Sequence, residues 1–104
     1  MTTTSSESSD RPLHRQNAID LVGQLLTVLR QHGDRATADP LTELAEHLDR
    51  AVRSFHMEAI RFRMFSFDRG AQAAAGLPPT VRELFDRIRL ELEAAGFATR
   101  SVAN

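Results

Sequence analysis

Residues 54–67, SFHMEAIRFRMFSF, carry four Phe, two Met and an Ile within fourteen positions. No glycine or proline interrupts the chain from Leu41 to Arg69, so this stretch reads as the second half of one helix. A helix that is apolar on nearly all sides must be covered on nearly all sides. That demand limits what the remaining residues can build.

Written as heptads, Leu41, Ala45, Leu48, Val52, Phe55, Ala59 and Phe62 fall at alternating spacings of four and three. This is a seam for nearly parallel packing against neighbouring helices. Leu44, Ala51, Glu58 and Phe65 flank it on one side; Asp49, His56 and Arg63 flank it on the other. The outer positions of the first half, such as Glu43, Glu46, His47, Arg50 and Arg53, are polar. In the second half they become Met57, Ile60, Met64 and Phe67, with Arg61 the exception. The outer face thus changes from wet to apolar near Met57.

The rest of the chain supplies two further helices. One is expected over 12–32, with Asp10 as cap, Pro12 in the first turn and Gly33 as a left-handed stop. The long helix is expected over 40–68, capped by Asp39 with Pro40 at its first position and ended by Gly70. After the breakers Gly76, Pro78 and Pro79, a third helix is expected over 81–95. Thr80 and Glu83 have capping-box spacing, and Arg82–Asp86, Arg87–Glu91 and Arg89–Glu93 are i,i+4 pairs. Gly96 fits a C′ position, with Phe97 folding back on Leu92. Strand signals are absent.

The expected fold is therefore all-α. It is a three-helix antiparallel arrangement with a long central helix, pairing into a larger helical bundle. Residues 1–10, rich in Ser and Thr, are expected as a disordered tail, residues 11–97 as one helical domain, and residues 98–104 as a C-terminal tail. Two helices of roughly 30 and 22 Å can cover the seam of a third of about 43 Å, but not its outer face as well. A homodimer meeting through residues 55–67 is the expected solution. Phe55, Met57, Ile60, Met64 and Phe67 would form the interface, with His56, Glu58, Arg61 and Arg63 as ion pairs at its edge. The competing expectation is that residues 71–79 and the tail cover this face within one chain.

Composition narrows the function. There is no Cys, which removes disulfides, thiolate metal sites and a Cys nucleophile. No signal peptide is legible and no apolar run reaches membrane-spanning length, so a cytoplasmic location is expected and no membrane partner. All thirteen basic residues are Arg, a bias a GC-rich bacterial genome explains. Net charge is −1, which favours neither nucleic acid nor an anionic surface.

Site chemistry is sparse. No Glu precedes a His by three residues, the spacing of di-metal bundles; Glu43 and His47 are i,i+4 but lie on the wet stretch. Met57 and Met64 at helical spacing read as adaptable packing rather than as ligands. No phosphate loop, nucleophile elbow or zinc-protease motif occurs. Glu58 is the one carboxylate placed for burial, and Arg61 can pair with it. No catalytic residue, metal or cofactor is expected. The expected function is a non-enzymatic interaction or regulatory module that self-associates or docks a partner helix. A DNA-associated regulator using the Arg residues of the long helix is the alternative, and a ligand- or metal-binding bundle the third. Interleaved acids on the long helix argue against a groove reader.

Overall fold

The structure, a computed structural model, describes residues 3–97, with side chains described from Asp10 onward. It is all-helical among the described residues. Four helices follow in order: α1 Thr3–Gln31, α2 Arg35–Ser54, α3 Met57–Ala73 and α4 Pro79–Ala94. The three-helix expectation is corrected at one point: the long central helix is two helices, folded against each other about Phe55 and His56.

The helix ends show which local signals won. Asp34, not Asp39, caps α2: its carboxylate accepts from the Thr37 hydroxyl at 2.8 Å and the Thr37 amide at 3.4 Å. Pro40 therefore lies inside α2, where its missing N–H costs a ladder bond. Gly33 does not stop α1, because the positive-φ glycines are Gly76 and Gly96. The Arg35 guanidinium instead donates to the Leu29 and Arg30 carbonyls at the end of α1 and to the His32 carbonyl just beyond it, at 2.9–3.1 Å. One side chain of the second helix thus finishes the first. α1 already begins at Thr3, so residues 3–10, expected as tail, extend the helix. Once a helix is nucleated, each added residue costs little. Pro12 then falls inside α1. The expected capping box is not formed, since α4 starts earlier. Pro78 is its N-cap without a side-chain bond, and Pro79 occupies the first turn, where a fixed φ and missing donor fit.

The α4 stop is as the sequence reads. Gly96 takes φ 98°. The Phe97 amide donates to the Leu92 carbonyl at 2.9 Å and the Gly96 amide to Glu93 at 3.0 Å, both bonds of a Schellman motif. Phe97 packs against the core beside Leu92. The tail expected over 98–104 lies outside the described residues, as do residues 1–2.

Packing follows chain order. α1 lies against α2 and α4, and α2 against α3. α3 meets α4 through the Phe67 and Phe85 rings, stacked with centroids 5.2 Å apart, and through Asp68–Arg82 at 3.0 Å. The contact positions make each successive pair antiparallel, and α4 returns to α1 through His14–Glu91 at 2.7 Å. Leu25 and Leu29 of α1, Leu48 and Val52 of α2, Ile60, Met64 and Phe67 of α3, and Phe85, Ile88 and Leu92 of α4 are all fully buried. Burying each such side chain contributes roughly 1.5–3 kcal/mol. Gly70 lets α2 and α3 close: a Cβ there would lie 2.9 Å from a Leu44 methyl and 3.1 Å from a Leu41 methyl.

Candidate functional site

The site the sequence singles out is α3 and the turn that leads into it. The turn is two residues long. Phe55 ends α2 in the left-handed region, φ 54° and ψ 36°, with its amide donating to the Val52 carbonyl. For a bulky L-residue this conformation costs about 1–2 kcal/mol. His56 follows in extended conformation, and its Nδ1 accepts from the Ala59 amide at 3.3 Å, capping α3. Glu58 sits in the first turn, where a carboxylate complements the helix dipole.

The turn rotates α3 relative to its expected register, and this decides which residues are surface. Ile60, Met64 and Phe67 are fully buried within the chain. They are core, not outer face, so the expected interface is corrected at these three positions. α3 presents the stripe Ile60, Met64, Phe67 and Ala71 to the core, at spacings of four, three and four. Of the seam residues of the second half, Ala59 still packs against the core, whereas Phe55 and Phe62 turn outward, as do the flanking Phe65 and the outer Met57. Phe62 is 57 % exposed and Phe65 44 %, while Phe55 and Met57 are 40 % and 41 % exposed. The two expected interface residues that remain on the surface are therefore Phe55 and Met57. Phe62 and Phe65 join them.

The expected edge residues find partners within the chain. His56 is the helix cap. Glu58 pairs with Arg61 as its spacing implies, at 3.8 Å, and is well exposed, so the burial anticipated for its carboxylate does not occur. The Arg63 guanidinium lies over the Phe62 ring, 5.0 Å from its centroid, and Arg69 over Phe65 at 5.7 Å. Arg15 of α1 lies 4.6 Å over the Phe55 ring, and its buried Nε has no hydrogen-bond partner among the described residues. The rings are thus exposed to solvent but screened by cations, each contact worth roughly 0.5–1 kcal/mol at such sites.

Glu58, Phe62, Phe65 and Arg69 form the outward stripe, again at spacings of four, three and four. Charge at both its ends, against the uncharged 60/64/67/71 stripe, is the signal that separates surface from core once α3 is treated as its own helix.

Elsewhere, Glu91 accepts from His14 Nδ1 at 2.7 Å and from Asn17 Nδ2 at 3.2 Å. The His14 bond, aided by Asn17 and the Arg87 charge and opposed by partial burial, holds its carboxyl below the usual range. Spacing along one helix could not reveal this contact, and it takes the place of the expected Arg87–Glu91 bond. Arg82–Asp86 forms as expected at 3.5 Å, and Arg89 also reaches Asp86. Glu43 is exposed, and His47 bonds Arg50 at 3.0 Å. Among the described residues no three His, Cys, Asp or Glu side chains converge on a common point. No described helix is long and apolar enough to cross a membrane.

A cavity of about 220 Å³ opens between α3, residues 74–78 and α4, walled by Phe67, Leu77, Val81 and Phe85. It is below the usual size of a ligand pocket, and Arg82 at its wall is already paired with Asp68 and Asp86. Compared with known proteins, the chain matches no family model, no curated protein and no solved structure.

Proposed function

We propose that the chain is a small non-enzymatic interaction module that associates through α3, with a second copy of itself or with an amphipathic helix of a partner. One observation carries this reading: Phe62 and Phe65 stand exposed side by side on the outward stripe of α3. Phe55 and Met57 continue the apolar surface toward the turn. Contiguous apolar surface of this kind marks association sites, and covering each Phe would contribute roughly 1.5–3 kcal/mol. Arg63 and Arg69, now over the rings, can swing out to the rim, where Glu58 offers the opposite charge. A Met beside aromatic anchors also suits a partner helix, because Met repacks easily.

The alternative of a DNA-associated regulator has less support. Arg53 is paired with Asp49 and Arg61 with Glu58, while Arg63 and Arg69 are engaged by rings. The test is light scattering on a sizing column over a concentration series. The wild type should reach twice the chain mass, and Phe62→Glu with Phe65→Glu should return it to one chain mass with its helical circular dichroism intact. A variant that still pairs, or a wild type that stays single and captures no helical peptide by the same surface, overturns the reading.

A further inference from the structure

Phe55 is the one described residue other than glycine with a positive φ. Helix ends that need this conformation normally place Gly or Asn there, because a Cβ is strained. Nothing else in the neighbouring sequence calls for a turn, since no glycine or proline occurs between Leu41 and Arg69. The turn also leaves Phe55 outside: Leu41, Ala45, Leu48 and Val52 are buried along α2, whereas Phe55 is exposed. Continued as straight helix, the chain would set Phe55 in line with that buried stripe, three positions after Val52.

The geometry points to a second arrangement of this chain. In it α2 and α3 straighten into one helix over 35–73, and two copies exchange their α3–α4 halves. Ile60, Met64 and Phe67 of each copy then pack on α2 of the other, in the pairing that α2 and α3 make within one chain here. The core is conserved, since α1–α2 and α3–α4 stay within a copy while α1–α4 and α2–α3 are re-formed across copies. The left-handed residue is released, and Phe55 moves from the turn to the region where the two long helices cross. The Arg15–Phe55 contact and the His56 cap are what is given up. Exchange of identical elements through a short hinge is a low-cost route to a dimer. This inference rests on the self-association proposed above and specifies its route; a dimer docked through Phe62 and Phe65 with the turn intact is the competing route.

The chain lacks Cys, so Glu43 and Gln72, both exposed, can be replaced by Cys and spin-labelled. In the hairpin these sites lie at the same end of two adjacent helices, where Gly70 meets Leu41 and Leu44, within roughly 20 Å of each other. In the straight helix they are about 44 Å apart. Full-length doubly labelled chain is refolded at high concentration with a large excess of unlabelled chain. The dimer fraction is then isolated and the distance within one chain is read by pulsed electron resonance. The long distance is expected. A dimer showing only the short distance overturns the exchange and leaves self-association standing, and a chain that stays single throughout overturns both. Met57→Pro is the second arm. Residue 57 opens α3, where proline is favoured, and His56 is already extended as a residue before proline should be. In a straight helix the same proline breaks the ladder. It should weaken dimerisation by at least about a hundredfold while the monomer stays helical; undiminished dimerisation overturns the inference.

Discussion

A left-handed backbone crowds the Cβ of an L-residue against the following carbonyl, and Phe55 takes that conformation at φ 54° where glycine would take it freely. Two contacts offset the cost: the Arg15 guanidinium on the ring and the His56 side chain on the Ala59 amide. Comparing two truncations isolates the backbone from the ring. Phe55→Ala and Phe55→Gly both remove the aromatic contact, but only Ala keeps the strained Cβ. The Gly variant should therefore be the more stable by roughly 0.5–1 kcal/mol, after allowing for its greater loss of freedom on folding. Urea denaturation of dilute protein measures this directly. In an uninterrupted helix the order would reverse, with Ala better by about 1 kcal/mol, so the sign alone decides whether residue 55 turns the chain.

Among the helices, α2 and α4 were legible in the sequence because a single apolar stripe and a polar back define each. The α2 seam holds from Leu41 to Val52, and the Gly96 stop of α4 is formed as its spacing implies. α3 was legible as a helix but not in its orientation. Apolar residues surround it, so periodicity permitted two faces, and a long-range fold-back at a residue that is no turn-former chose between them. For the same reason the candidate interface kept Phe55 and Met57 and gave up Ile60, Met64 and Phe67. Capping was the weakest signal: Asp34, Asp39 and Thr80 are all good caps locally, and the start of each helix depended on what the neighbouring helix needed, as the Arg35 bonds to α1 show. The division of α3 has a direct energetic consequence. Phe67→Ala removes a buried ring stacked on Phe85 and should cost about 3–5 kcal/mol. Phe62→Ala, on the exposed side with only Arg63 over its ring, should cost about 1 kcal/mol or less. Both values come from denaturation at concentrations where the chain is single; the opposite order would mean the two faces have been exchanged.

The molecule as a whole is closed by its most distant helices. α1 and α4 are joined by the core and by one polar cluster, in which Glu91 accepts from His14 and Asn17 across 77 and 74 positions of chain. No sequence periodicity links such positions. The cluster gives the fold a defined response to acid. The His14 bond keeps the Glu91 carboxyl below its ordinary value of 4.5. A carboxyl whose folded value is depressed stabilises the fold above its unfolded value and loses that contribution as pH falls through the folded one. Glu91→Gln removes the charge while keeping an acceptor. It should cost about 1 kcal/mol near neutral pH, a charge-assisted bond discounted for partial exposure, and the difference from wild type should shrink toward zero as pH drops below the carboxylate range. Asp34, held low by the Thr37 hydroxyl and amide, contributes to the acid response of both proteins in the same direction, so it cancels in the difference. Denaturation of the pair at neutral pH, near pH 5 and well below pH 4 provides the check. A gap that persists unchanged into acid would show that Glu91 acts through the shape and hydrogen bonds of its side chain rather than through its charge.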